Sequence, residues 1–293
     1  MNLTLLVLEI VAPVFLLAGI GFCWVKFGFE YRIEFVTKLA MTLSVPCLIF
    51  VSLMQTQITP DALAALSLAS LAAYGAVSVL AAVLVFCVGL DRRTYLAPLI
   101  FGNTGNLGLP LALFAFGEVG LSYAVVVFAV MVIWSFTFGI WLVAGTGSFG
   151  KALREPLIWA TLLGGLFMWQ GWQTPVFATN TLKLLGQMAI PMMLITLGVA
   201  LARLSSGGIG RALLLSAVKL VLCVTVGWGA AHLFDLDRIG FGVLVLQLAT
   251  PVAVTSYLLA EKYGADAQAV AGLVVVSTVL SVGALPLLLA AVL

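Results

Sequence analysis

The chain has 293 residues, of which 63% are hydrophobic and only 8% are charged, and its mean hydropathy is +1.25. Soluble domains carry about 25% charged residues, so this composition predicts an integral membrane protein with the lipid bilayer as its main partner. The formal net charge is +2 and no basic cluster is present, which excludes a nucleic-acid partner.

Ten apolar runs are long enough to cross a bilayer. A hydrocarbon core roughly 30 Å thick requires about 20 apolar residues per helix. Runs bounded by charges and turn residues predict ten spans, numbered here in chain order, so the predicted fold class is all-α and transmembrane. The predicted bounds are 3–25, 36–54, 63–89, 95–116, 121–144, 156–172, 181–202, 210–233, 239–259 and 267–292.

The basic residues predict the orientation. Ten of the 13 Lys and Arg residues lie at the connections that follow odd-numbered spans, Lys183 and Arg238 lie at the others, and Lys219 lies inside span 8. Because Lys and Arg accumulate in cytoplasmic loops, both termini are predicted to face outward. The first residues lack a basic region and include Glu9, so no cleavable signal peptide is expected.

Span 4 contains an unusual polar stretch, residues 101–117, FGNTGNLGLPLALFAFG. Asn103, Thr104 and Asn106 lie where a membrane helix normally shows only hydrocarbon. Proline removes a helical hydrogen bond, and broken helix inside a membrane is tolerated only where protein or a wet cavity supplies partners. The stretch therefore predicts that span 4 unwinds near its middle, with helix-break positions at Gly102, Gly105, Gly108 and Pro110.

Span 9 contains a similar pattern, residues 246–257, LQLATPVAVTSY. Gln247 precedes Pro251 by four residues, as Asn106 precedes Pro110 in span 4. Paired, interrupted hydrophobic segments in the two halves of a chain point to a transporter binding site. Span 9 is accordingly predicted to unwind at Pro251.

Spans 2 and 7 share a second pattern. Lys38 precedes Pro46 by eight residues, and Lys183 precedes Pro191 by eight. The two lysines begin their helices on opposite sides of the membrane, as an inverted repeat requires. The pattern predicts a first five-helix repeat at 1–145, a cytoplasmic connection at 146–155 and a second, inverted repeat at 156–293, with Pro46 and Pro191 as helix-break or scaffold positions.

Two broken helices that meet in mid-membrane would present free N–H groups and positive helix ends, which attract a carboxylate. The alternative is that these prolines and glycines only kink or closely pack the helices. On the first interpretation, the substrate-binding residues are Asn103, Thr104, Asn106, Pro110, Gln247, Thr250, Pro251 and Thr255, with Lys219 as a further candidate.

Lys219 has two interpretations, because charged residues inside spans are expensive and usually functional. Its ammonium either pairs with a bound anion or satisfies carbonyls released by a broken helix. No catalytic set, nucleotide motif, metal-ligand cluster or cofactor motif is visible in the sequence, so neither an enzyme nor a metal or cofactor is expected.

Three stretches carry a resemblance to a known family: GNTGNLGLPLALFAFG, REPLIW at 154–159, and PVAVTSYLLAEKYGADAQAVAGLVVVSTVLS from 251. With them the chain resembles a bacterial member of the auxin efflux carrier family. The resemblance implies ten helices in two inverted five-helix repeats, a scaffold of helices 1, 2, 6 and 7, and broken helices 4 and 9 that cross at Pro110 and Pro251. It also implies elevator-like movement, a homodimer, and kinship with bile-acid symporters and sodium/proton antiporters.

Two departures point away from auxin itself. The plant NPNTY-type motif is NTGNLG here, and a short GTGSFGKALRE stands in place of the long cytoplasmic loop of plant exporters. Since bacterial members are linked to malate, malonate and similar acids, the predicted function is secondary transport of small organic anions across a bacterial inner membrane. Movement would be facilitated or coupled to protons. The alternatives are a cation/proton antiporter of related architecture and an anion-sensing receptor that does not transport.

Overall fold

The structure is a computed structural model that describes residues 3–56, 58–135, 138, 156–204 and 208–293. Every regular element in these ranges is helical, which confirms the predicted all-α class. Two π-helical turns, Ala40–Ser44 and Thr104–Gly108, lie between α-helices. The α-helices are α1 Leu3–Lys26, α2 Ile33–Leu39, α3 Val45–Met54, α4 Pro60–Val88, α5 Arg92–Ile100, α6 Leu109–Trp134, α7 Pro156–Gln170, α8 Val176–Gln187, α9 Ala189–Arg203, α10 Ile209–Leu233, α11 Arg238–Leu248, α12 Val254–Lys262 and α13 Ala267–Val292.

Seven helical stretches in the described ranges are long and apolar enough to cross a membrane. The exterior agrees with a lipid environment, because large apolar side chains such as Leu16, Phe86 and Leu287 are exposed. The end of span 5 and the connection at 146–155 lie outside the described residues, and the division into ten spans stays a prediction. The seven stretches are Val7–Lys26, Ile33–Met54, Asp61–Val88, Thr104–Trp134, Val176–Arg203, Ile209–Leu233 and Ala267–Val292.

Four helices begin at polar caps that the sequence places at span ends. The side chains of Thr59, Asp91, Asp237 and Asp266 accept hydrogen bonds from the peptide N–H three residues later, at the starts of α4, α5, α11 and α13. Such caps satisfy donors that a helix start leaves unpaired. At Gly117 the backbone φ is 67°, which a glycine adopts without strain, and this kink inside α6 separates predicted spans 4 and 5.

Three prolines follow irregularities in their helices. Pro46 and Pro110 lie in the first turns of α3 and α6, directly after the two π-helical turns. Pro191 is the third residue of α9, after the turn at Met188 that ends α8. A proline cannot donate to the preceding turn and clashes with it, so each helix is irregular just before its proline.

The helices pack in two groups. In the first group α1 lies along α9, and α3 packs against α7 and α8. The backbones of α1 and α9 touch, because a Cβ placed on Gly21 would lie 2.0 Å from the Ile195 carbonyl oxygen and one on Gly198 would lie 1.7 Å from that of Ala18. In the second group α10 packs against α4, α11 and α13, and α6 packs against α4 and α11.

The molecule has two ends, called here face A and face B. Face A carries the end of α3 and the start of α8, where the Gln173 amide donates to the Met54 carbonyl at 3.3 Å. Face B carries the starts of α5 and α13, where the N–H of Asp266 donates to the Thr94 hydroxyl at 3.2 Å. The broken segments of spans 4 and 9 lie between these two faces.

Candidate functional site

Two interrupted helices cross through their backbones. The path of span 4 is non-helical at 101–103, and that of span 9 at 249–253. The segments run antiparallel, with an isolated β-bridge between Gly102 and Val252. The N–H of Asn103 donates to the Pro251 carbonyl at 2.7 Å, and the N–H of Ala253 to the Phe101 carbonyl at 3.3 Å. Groups released by one broken helix are thus satisfied by the other.

The crossing is tightly packed. A Cβ on Gly102 would lie 2.2 Å from Oγ1 of Thr250 and 3.1 Å from the Thr250 carbonyl oxygen, so only glycine fits at this position. The hydroxyl of Ser277 on α13 accepts a hydrogen bond from the N–H of Val252 at 3.0 Å. Helix α13 therefore contacts the crossing directly and satisfies one more peptide group.

The two prolines differ in position. Pro251 lies within the crossing, whereas Pro110 lies in the first turn of α6, beyond the π-helical turn. The expectation that the helices cross at both prolines therefore holds only for Pro251. Pro110 lies inside one helical stretch, Thr104–Trp134, which begins after the break, so the hydrogen bond that it removes belongs to this helix and not to the crossing.

Four polar side-chain atoms at the crossing have no hydrogen-bond partner among the described residues: Nδ2 of Asn103, Oγ1 of Thr104, and both amide atoms of Gln247. Asn103 is 5% exposed, and Thr104 and Gln247 are fully buried. The Gln247 amide lies against Gly108, where a Cβ would come within 2.1 Å of its Oε1. A buried unpaired polar group costs about 1–3 kcal/mol, so this cluster calls for an explanation such as a ligand.

Helix ends add positive potential to the same place. The π-helical turn begins at Thr104. The carbonyl of Asn103, just before it, accepts hydrogen bonds from the N–H groups of Leu107 and Gly108. The N–H groups that precede them at the start of the helix have no intrahelical acceptor, and they carry the positive end of the helix dipole. Helix α12 begins at Val254, directly after the other break. Both starts favour a negatively charged group.

Lys219 lies beside the crossing and is only 3% exposed. Its ammonium donates to the Thr250 carbonyl at 2.9 Å and lies 4.0 Å from Sγ of Cys223. The hydroxyl of Thr250 in turn donates to the Gln247 carbonyl at 2.7 Å. The lysine therefore contacts a carbonyl released where α11 ends, which is the arrangement expected of a structural role.

Asn106 and Thr255 lie apart from the buried cluster. With Thr37 and Thr196 they line a separate cavity of about 40 Å³ between α2, α9 and the two breaks. About 10–15 Å³ of such volume suffices for one water molecule, so this space has room for only a few waters. The sequence-predicted residues thus divide into Asn103, Thr104, Gln247, Thr250 and Pro251 at the crossing and Asn106 and Thr255 in a small neighbouring cavity.

Acidic groups are absent from both broken spans in the sequence. No Asp or Glu occurs in predicted spans 4 and 9, at 95–116 and 239–259, and Glu261 lies near the far end of α12. In the part of the chain that the structure describes, no group of three or more His, Cys, Asp or Glu residues could hold a metal ion.

Sequence reasoning missed the groups that form the crossing itself. Phe101, Val252 and Ala253 contribute backbone atoms, for which no side-chain signal exists. Ser277 was interpretable only as a small polar residue of span 10 that packs helices. Its hydroxyl in fact accepts a hydrogen bond from the N–H of Val252 in span 9. The only sequence feature that hinted at this contact was the polar residue itself.

Comparisons with known proteins agree with this architecture. A family model described as "Membrane transport protein" matches residues 6–149 and 141–289. An uncharacterized transporter from Methanothermobacter thermautotrophicus is 29% identical over 191 residues, 63% of this chain and 63% of that protein. An uncharacterized transporter from Methanocaldococcus jannaschii is 24% identical over 195 residues, 62% of each chain. The chain thus spans less than two thirds of the length of these relatives.

Proposed function

Because this chain belongs to the Mem_trans family of membrane transport proteins, the auxin efflux carrier family, we propose that it is a secondary transporter of small organic anions. Its substrate is a mono- or dicarboxylate, and the carboxylate binds where spans 4 and 9 cross. The protein operates in a bacterial inner membrane, with both termini periplasmic, and assembles as a homodimer.

The observation that carries the proposal is the cluster of unpaired polar atoms on Asn103, Thr104 and Gln247. A carboxylate accepts several hydrogen bonds at once, so the amide and hydroxyl donors of this cluster are suited to it. Two helix starts nearby add positive potential. A ligand that satisfies these donors removes the cost of leaving them unpaired, which is a physical reason for binding.

The charge pattern favours an anion over a cation. Both broken spans lack Asp and Glu, whereas a sodium or proton antiporter of related architecture relies on carboxylates at this depth. Among the described residues, the charged side chain that is hydrogen-bonded to the crossing is Lys219, whose ammonium donates to the Thr250 carbonyl. A neutral site with donors binds an anion without holding it too tightly to be released.

The two packing groups support alternating access. One group contains α1, α3, α7, α8 and α9, which correspond to spans 1, 2, 6 and 7, and the other contains the crossing. In the proposed mechanism the ten spans form two inverted five-helix repeats, and the second group moves across the membrane against the first. No nucleotide motif is present, so the movement is facilitated or coupled to protons.

The test is thermal stabilisation of the purified protein by a panel of malate, malonate, 2-oxo acids and indole acetate. A ligand that binds only the folded protein raises the melting temperature by mass action. We expect one class of carboxylate to raise it in the wild type and in Asn180→Ala, a change on the exposed surface of α8, and to fail in Gln247→Ala and Asn103→Ala, which remove unpaired polar atoms at the crossing.

Stabilisation that survives in both site variants would move the site away from the crossing. Stabilisation by sodium alone would favour the antiporter. An anion that binds, but is not moved when the protein is reconstituted into liposomes, would favour the receptor.

A further inference from the structure

A cavity that touches both packing groups opens at face A and has a volume of about 500 Å³. One wall is formed by α3, α8 and α9 of the first group, and the opposite wall by α6 of the second. Its polar lining residues are Ser52, Gln55, Glu118, Ser122, Lys183 and Gln187. It is more than ten times larger than the cavity of Asn106, which also touches both packing groups but lies on the side of face B.

Lys183 is the only basic residue of this lining. It lies seven residues into α8, which places it about 10 Å below the start of the helix at a rise of 1.5 Å per residue. The ion pair between Arg32 and Glu30 does not involve Lys183, and no carboxylate among the described side chains neutralises Lys183 by direct contact. Lys183 is an exposed residue and lines the cavity.

Glu118 lines the same cavity from the opposite wall. It follows the kink at Gly117, at the face A end of the first part of α6, and therefore lies near the mouth. Lys183 lies deeper, and beyond it the lining continues through Gln187, one helical turn on, to Ile190 and Pro191. An anion that passes Glu118 thus meets a cation next, and then the amide of Gln187.

We propose that Lys183, with Gln187 and Gln55, forms a second, outer subsite for carboxylates, which loads the transporter from face A. The identity of the ligand rests on the proposed function, but the existence of an anion-attracting cavity does not. The subsite attracts the anion by charge and holds it weakly, because an exposed ammonium in water gains little from each contact. Glu118 opposes anions at the mouth and lowers the rate at which they pass.

The proposal extends to the other face through the repeated lysine–proline spacing. Span 7 contains Lys183 and Pro191, and span 2 contains Lys38 and Pro46 at the same spacing. Lys38 is exposed on α2, and its neighbours Thr37 and Met41 line the small cavity on the side of face B. When the second group moves and that cavity opens, Lys38 takes the part there that Lys183 takes at face A.

A thiol placed below Lys183 tests the potential in the cavity without any assumption about transport. In a full-length protein with the exposed Cys23 and Cys87 changed to serine, Gln187→Cys is labelled with an anionic sulfonatoethyl and a cationic trimethylammonioethyl methanethiosulfonate. The quantity measured is the ratio of the anionic to the cationic labelling rate at low ionic strength. Arg238→Gln, at the same face but outside this lining, is the matched control.

We expect Lys183→Gln to lower the ratio about fivefold or more, since loss of a unit charge at roughly 6–8 Å changes the two rates in opposite directions. Glu118→Gln is expected to raise it, and Arg238→Gln to leave it within about twofold, because that charge lies outside the lining and acts through water of high dielectric constant. An unchanged ratio in Lys183→Gln, or an equal fall in Arg238→Gln, would overturn the subsite.

The role in loading is tested by uptake of the stabilising carboxylate in oriented liposomes. Lys183→Gln is expected to raise KM from face A severalfold with kcat unchanged, and Lys38→Gln to do so from face B only. A changed labelling ratio with an unchanged KM would refute loading. If no carboxylate is transported by the wild type while the labelling ratio still responds to Lys183→Gln, the anion cavity stands and the proposed function fails.

Discussion

Replacing Gly102 with alanine perturbs the crossing at the point where the two broken segments touch. The new Cβ would lie 2.2 Å from Oγ1 of Thr250, so that hydroxyl must turn away and lose its 2.7 Å hydrogen bond to the Gln247 carbonyl, which costs about 1 kcal/mol. The Thr250 carbonyl oxygen, 3.1 Å away, belongs to the backbone and cannot turn. Overpacking of this kind costs about 1–3 kcal/mol.

The expected loss of stability for Gly102→Ala is therefore about 2–4 kcal/mol. At roughly 2 °C per kcal/mol for a chain of this size, the melting temperature in detergent falls by about 4–8 °C. Carboxylate-dependent stabilisation should be lost as well, because the bridge that positions Asn103 is forced apart. Gly283→Ala is the matched control, since nothing lies within 4 Å of the Cβ it adds on α13, and alanine favours a helix.

A double mutant identifies the cause. Thr250→Ala removes Oγ1, and with it the closer of the two clashes, so Gly102→Ala should cost less in that background, by about 1–2 kcal/mol. Gly102→Ala with the same melting temperature and transport as Gly283→Ala would refute the close crossing. Strict additivity of the two changes would show that Thr250 is not the residue that Gly102 meets.

Three further variants separate binding from support. Gln247→Leu removes two buried polar atoms that have no described partner, so the unliganded melting temperature should stay equal or rise while stabilisation by carboxylates disappears; a fall of several degrees would show that the amide supports the fold. Ser277→Ala leaves a buried N–H without its acceptor and should cost about 1–3 kcal/mol, measured as a lower melting temperature than in Ser281→Ala, whose hydroxyl donates only within its own helix. Lys219→Met leaves the Thr250 carbonyl without its ammonium donor and should lower the unliganded melting temperature while some carboxylate binding persists; stable protein with no binding would instead make the lysine an anion partner.

The sequence predicts the two breaks but not their form. Glycines and prolines at 102–110 indicate irregular backbone, yet Gly102, Gly105 and Gly108 serve different purposes that the letter code does not distinguish. Gly102 meets Thr250 across the bridge, Gly105 faces Phe128 and Met193, and Gly108 faces Gln247. Which partner each glycine meets depends on residues far away in the chain, so local patterns cannot assign it.

The amide–proline spacing shows the same limit. Asn106 and Gln247 each precede a proline by four residues, but Asn106 lies four residues after the bridging Gly102 and Gln247 lies five residues before the bridging Val252. The match therefore identified the two spans that break, but Asn106 and Gln247 do not occupy equivalent positions relative to the crossing. The partner of Lys219 was likewise beyond the sequence, because it is a backbone carbonyl released only when α11 ends.

For the proposed function, the unpaired atoms at the crossing would also explain how a bound carboxylate is released. Each costs the unliganded protein about 1–3 kcal/mol, and the surrounding packing of α10, α11 and α13 must offset that cost. A carboxylate that pairs with the donors recovers it, but must first give up its own hydration, so only the difference appears as affinity. An analogue without the carboxylate would also be dehydrated on binding, but it would leave the donors unpaired. A neutral site can therefore strongly prefer a carboxylate over such an analogue. Selectivity and release then have the same origin, and a fixed positive charge aimed at the substrate would have increased affinity at the expense of turnover.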